Sequence, residues 1–206
     1  MPNPDGSGTK LIDWAARLDG NAYPVDQWVK IPHWVAEFSH LGGQMVIADA
    51  GLAETETYAR QDDLVIIASG KGDVGRLFAR DVEKSAFDKP MRALALTHVT
   101  GMTPRQPYAA VELNLIPGIG EYFMFPALTP TGPCEIIVME GIPGDPMDCW
   151  VDVKTPTQHL DTALNILKTF LPWEYDRSKK VPFDRRKRHP VRSLRPHRPP
   201  SRRLTL

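Results

Sequence analysis

The stretch Asp62-Asp63-Leu64-Val65-Ile66-Ile67-Ala68-Ser69-Gly70-Lys71-Gly72-Asp73-Val74-Gly75-Arg76 decides how the first half of the chain is read. Leu64 to Ala68 is an unbroken apolar run with three β-branched residues, bounded by two acids and a glycine-rich turn, which predicts a strand covered on both faces. The turn Gly70-Lys71-Gly72-Asp73-Val74-Gly75 fits G-x-G-x-x-G, so a dinucleotide loop has to be weighed. That fingerprint needs a full helix facing the pyrophosphate and a second strand ending in an acid about 20 residues on. Here the helical pattern stops near Asp81, Pro90 follows, and the next strand ends Thr97-His98-Val99-Thr100. A strand-to-loop exit with permissive glycines accounts for the same residues.

Outward from this stretch, the chain has 206 residues, 42% of them hydrophobic, enough for one domain with a substantial core. Lys/Arg and Asp/Glu balance at 25 each, yet 12 of the cations and a single acid fall between Arg177 and Leu206. The body is therefore acidic and the C-terminal segment strongly basic. No run of 18 apolar residues occurs, and Met1 to Gly8 has neither a basic start nor an apolar stretch, so a cytoplasmic protein without membrane spans is expected. Cys134 and Cys149 are expected to be inert core thiols.

Residues 1–24 are rich in Pro, Gly and Asp and predict an irregular lead-in. From Ile31 a helix is predicted with Pro32 in its first turn, Trp34, Val35, Phe38 and Leu41 on one face, and Gly42-Gly43 as a left-handed exit. A strand over 44–48, a helix over 53–60 and the strand at 64–68 complete a partial parallel α/β layer over 25–80. Over 81–175 the texture changes. Four strands, 93–100, 109–115, 121–125 and 135–140, are separated by short Pro/Gly turns and predict an antiparallel β-meander. Thr155-Pro156-Thr157-Gln158 has capping-box spacing and opens a helix with Leu160, Ala163, Leu164, Leu167, Phe170 and Leu171 inward, covering that sheet. The fold class is mixed, α/β (α+β). Residues 176–206 are basic, hold five prolines from Pro182 onward and predict disorder.

Several blocks in order resemble the oxygenase component of two-component, FAD-dependent styrene and indole monooxygenases. They are Val25-Asp26-Gln27, the Gly42-Gly43 exit, Asp63 to Lys71, Phe87-Asp88-Lys89-Pro90-Met91-Arg92-Ala93-Leu94, Pro117-Gly118-Ile119-Gly120-Glu121 and Phe125-Pro126. The resemblance spans roughly Val25 to Trp173 and implies part of an FAD-binding layer followed by a substrate-binding sheet. It implies FAD as cofactor, a separate flavin reductase as partner and a small apolar aromatic substrate epoxidised by a flavin peroxide. Ser69, Gly70 and Lys71 then correspond to the family's strand-end Thr-Gly-Lys and become weak cofactor-binding candidates. The chain departs from the family in lacking an N-terminal G-x-G-x-x-G and the closing Gly-Asp segment, and in carrying Trp28 where an Arg is usual; an indole cannot pair with phosphate. A truncated copy, inactive alone, is therefore expected, with exposed apolar surface and self-association.

The flavin supplies the reactive atom in such chemistry, and the protein supplies orientation and exclusion of water. No catalytic side chain is expected. The pocket is expected from alternating sheet residues: Phe123 and Phe125 from one strand, Ile136 and Val138 from its neighbour. No metal site is expected, because His33 and His40 are seven apart and no Cys pairs with them. His98 reads as a packed or half-exposed histidine, and Ser69 lacks the surroundings of a nucleophile. Two other classes stay open: a small nucleotide-binding enzyme using the Gly70–Gly75 loop, and a binding module whose cationic tail takes nucleic acid non-specifically.

Overall fold

The computed structural model describes residues 1–20, 23–70, 73–106 and 111–179. They form two units, one of residues 1–32 and 89 onward and a second of residues 33–88. The fold is mixed α/β, as the sequence predicts, and its regular part is a four-stranded antiparallel sheet in the first unit.

The sheet strands are β1 (Ala93–Val99), β2 (Glu112–Ile116), β3 (Gly120–Thr129) and β4 (Gly132–Gly141). Their order is β1-β4-β3-β2, all neighbours antiparallel. β2, β3 and β4 follow as a meander, whereas β1 lies beside β4 instead of β2. The tight connections explain the meander part: Thr129 pairs with Gly132 across a two-residue turn, and Ile116 with Gly120 across three. β1 and β2 are joined by a longer segment, which leaves β1 at liberty to add at the far edge. Gly120 must be glycine for a steric reason. Its φ is +154°, and a Cβ there would sit 2.3 Å from the Glu140 carbonyl oxygen across the ladder.

One face of the sheet is covered by α3 (Pro156–Phe170), which follows α1 (Gln27–His40) and α2 (Leu52–Gln61) in chain order. Thr155 caps α3 as the sequence spacing predicts: its hydroxyl accepts the Gln158 N–H at 3.2 Å, and the Gln158 side chain accepts the Thr155 N–H at 3.0 Å. Leu160, Ala163, Ile166 and Leu167 are buried against Ala95, Tyr122, Met124, Ile137 and Met139. A polar pin fixes the register of helix on sheet. The buried His159 Nδ1 lies 2.7 Å from the Thr97 hydroxyl, and its ring packs on Trp150 at 4.6 Å. Burying each Leu or Ile of this stripe contributes roughly 1.5–3 kcal/mol.

The chain does not fall irregular after Trp173. A short helix, α4 (Pro172–Ser178), follows α3 directly, with Pro172 in its first turn. The boundary expected at 175 is therefore too early; the disorder expected for 176–206 concerns residues of which 180–206 lie outside the described ones. Of the two thiols, Cys134 is buried and Cys149 is exposed; both are free, so Cys149 is not the core thiol expected.

The second unit departs further from expectation. α1 begins five residues before Pro32, because the Asp26 carboxylate accepts the Trp28 N–H at 2.9 Å and its carbonyl accepts the Lys30 N–H. Gly42 takes the left-handed cap (φ +91°) as predicted. However, Trp34, Phe38 and Leu41 are exposed, and no described residue of 33–88 is buried. The strands expected at 44–48 and 64–68 are absent among the described residues: both stretches are present but without ladder partners. Ile47 is 95% exposed and Ile66 79%. An apolar β-branched run records a preference for two covered faces, but a strand also needs a neighbour to take its N–H and C=O groups.

These contrasts set an expected pattern of stability. Leu167→Ala should lower the unfolding free energy by about 2–5 kcal/mol in urea titration, while Ile47→Ala should change it by less than about 0.5 kcal/mol. Equal losses at both positions would mean that residues 33–88 are packed in solution.

Candidate functional site

The side-chain alternation of the sheet separates two apolar faces. Residues Ala95, Thr97, Ile137, Met139, Tyr122 and Met124 point to α3. Their neighbours in each strand therefore point to the opposite face, and the register aligns them in rows. Leu96 faces Val138, Val138 faces Phe123, and Phe123 faces Leu113, giving one apolar row across all four strands. The next row is His98, Ile136 and Phe125. With about 4.8 Å between strands and about 6.6 Å between rows, the two rows cover roughly 14 by 7 Å.

The face is graded from centre to edge. Ile136 and Val138, with Cys134 and Ala127, are buried beneath the half-buried Phe123, Phe125 and Leu94. Towards the β2 edge Leu113 is 67% exposed and Leu115 is exposed too. A third row, Leu94, Glu140, Glu121 and Leu115, closes one end with carboxylates, and the Arg92 guanidinium reaches Glu121 at 3.4 Å. The face offers flat apolar area and ring edges, bordered by charge at one end. It suits an apolar, ring-sized ligand.

The four residues expected to line a pocket, Phe123, Phe125, Ile136 and Val138, thus lie side by side in cross-strand pairs. Leu96, Leu113 and His98 share the face and were not singled out for it; only the register, which a single strand pattern does not contain, places them there. His98 is half-buried, in keeping with its sequence reading. Among the described residues no group of three or more His, Cys, Asp or Glu could hold a metal ion.

The cofactor candidates are elsewhere. Ser69 and Gly70 line an open hollow of about 480 Å³ within residues 33–88, together with Val65, Ile66, Ile67, Gly75 and Phe78; Lys71 lies outside the described residues. The glycine loop leads into a single 3-10 turn, Val74–Leu77, and not into a helix. A Cβ on Gly75 would meet the Gly70 carbonyl at 2.8 Å and the Ser69 hydroxyl at 3.0 Å. Gly75 is therefore needed for the turn to fold back onto Ser69 and Gly70, which explains the glycine without a pyrophosphate.

Residues 70–177, just over half of the chain, match the family described as "Styrene monooxygenase A putative substrate binding domain". The chain belongs to this family. Styrene monooxygenase StyA of Pseudomonas fluorescens is 30% identical over 180 residues, and that of a Pseudomonas species 29% over 180 residues; each match takes in 86% of this chain. The chain spans 43% of the length of these curated relatives. Among the described residues no helix is long and apolar enough to cross a membrane.

The described residues of the Ser69–Gly70 hollow lack what the FAD implied by the resemblance needs at its pyrophosphate. A pyrophosphate needs cations or a helix N-terminus, and the described lining residues supply one hydroxyl and no charge. Titrating the chain with FAD should accordingly give no saturable fluorescence quenching at micromolar flavin. Tight quenching that is lost in Ser69→Ala would make the hollow a flavin site after all.

Proposed function

We propose that the sheet unit is the wall against which a small apolar aromatic molecule, of the styrene or indole kind, rests while an oxygenase of the styrene monooxygenase type epoxidises an alkene. The cross-sheet row Leu96, Val138, Phe123 and Leu113 is the observation that carries this reading. An aromatic ligand on this face would displace water from apolar area and meet the Phe123 and Phe125 rings. Ring contacts of that kind add about 0.5–1.5 kcal/mol each beyond the area buried. The side chains of the face orient and dehydrate the ligand; none of them supplies redox chemistry, which belongs to FAD and the flavin reductase that the resemblance implies.

For residues 33–88 the corresponding reading is an α/β flavoprotein layer. Its unpaired apolar runs take ladder partners from another polypeptide segment, and the cations that a flavin pyrophosphate requires come with that segment. The exposure of Val46, Ile47, Leu64 and Ile66 supports this assignment.

Calorimetric titration with styrene, indole and naphthalene tests the wall. Binding should carry a negative heat-capacity change, and Leu113→Asp should weaken it by about tenfold or more without altering urea stability, because a carboxylate on the face must be desolvated by the ligand. Affinity indifferent to both Leu113→Asp and Phe123→Ala would remove the face from consideration.

A further inference from the structure

Under the sheet, away from the apolar rows, α4 is fastened by a cluster in which charges and protons do not balance in the ordinary way. The Arg177 Nη1 donates to both Glu112 carboxylate oxygens at 2.5 Å and to the Glu174 Oε2 at 3.0 Å. One nitrogen with two hydrogens thus meets three carboxylate oxygens. Glu112 and Glu174 are both almost fully buried. Arg177 is otherwise committed to the backbone, since its Nε donates to the Thr103 carbonyl at 3.0 Å and its own carbonyl accepts the Thr103 N–H at 3.1 Å. Two buried carboxylates on one guanidinium leave a net negative charge unless one of them keeps its proton.

We propose that Glu174, set against Glu112 on one guanidinium, keeps a proton while α4 is seated and that this proton is the latch of α4: bound, it seats the helix on the sheet, and its loss loosens residues 172–179. From β4, the half-buried Glu135 carboxyl is a further acid within reach of the Arg177 charge. From β3 the buried Tyr122 hydroxyl faces Glu174 and has no well-formed hydrogen bond among the described residues; from α4 itself the Ser178 hydroxyl is buried in the same state. From the N-terminal segment, Lys10 and the Met1 ammonium are the other charges that Glu174 senses, and Lys10 lies 5.3 Å from the Trp173 ring. Burial first, then the Glu112 carboxylate, push the Glu174 carboxyl up to about 8. The Tyr122 phenol is raised by burial and by the same two acids, so it does not take over the proton's role at neutral pH.

The sign follows from linkage. A carboxyl whose closed-state pKa is raised keeps its proton when α4 is seated and releases it when α4 is open to water. Seating is therefore strongest below the ordinary carboxyl range, weakens as pH rises towards about 8, and is level above that.

Amide hydrogen exchange of the whole chain, expressed as protection relative to intrinsic rates, reads this directly at Tyr175 and Lys179. Protection there should fall by up to about tenfold per pH unit between about pH 5 and pH 8, then level off, while β4 amides keep theirs. Glu174→Gln should make the profile flat. Glu112→Gln should do the same, because it leaves one carboxylate for the guanidinium and removes the need for the Glu174 proton. Infrared difference spectra of the unaltered chain should show a protonated carboxyl at neutral pH that is lost above pH 8. Protection that is constant over this range, a fall that persists in both variants, or no protonated carboxyl at neutral pH would overturn the latch.

Discussion

The structure rests on the fact that a β-strand presents successive side chains to opposite sides and that β4 is apolar on both. Ile137 and Met139 must find cover and do so under α3. Ile136 and Val138 point the other way and pack with Cys134, Ala127, Leu94, Phe123 and Phe125. Pinning one face fixes the other. The Thr97–His159 contact and the capped start of α3 decide which parity is inside, and the second face inherits its apolar rows from that decision. A slip of one residue in β4 would send both sets to the wrong side.

This division of labour explains why the apolar rows are informative. Polar catalytic machinery would be costly on a surface that has to be dry when occupied. The Leu94, Glu140, Glu121 and Leu115 row marks where the apolar area ends, with Arg92 balancing part of its charge. On the other side of the same sheet, the polar groups are drawn into the Glu112, Glu174 and Arg177 cluster, where they hold α4. One sheet thereby separates a surface fit for apolar contact from an interior where charge is confined.

The sheet unit was readable from sequence wherever local chemistry determines the outcome. The turns at Pro117-Gly118 and Pro130-Thr131 and the Thr155/Gln158 box act over a few residues and appear as predicted. β3 and β4 run longer than the predicted 121–125 and 135–140, to Gly120–Thr129 and Gly132–Gly141, because the two-residue turn lets their ladder continue through Pro126 to Thr129 and Gly132. Pairing partners were not readable. The placement of β1 beside β4, and hence Leu96 beside Val138, depends on a contact some 40 residues apart in sequence that no local pattern encodes. α4 was missed because seven residues are too few to display a helical period, and its hold on the sheet comes from Arg177, an ion-pair residue inside what composition marked as basic tail. The runs at 44–48 and 64–68 show the opposite error. Their composition states what they would bury, and the described residues contain nothing that buries it.

The central claim, that the face carrying Val138 and not the face carrying Ile137 receives an aromatic molecule, can be tested by alternation itself. Methyl-resolved NMR during titration with naphthalene should shift Ile136, Val138, Leu96 and Leu113 and leave Ile137, Leu160 and Leu167 in place, a period-two pattern along β4. Shifts confined to Val65, Ile66 and Ile67, or spread evenly over Ile136 and Ile137, would contradict it.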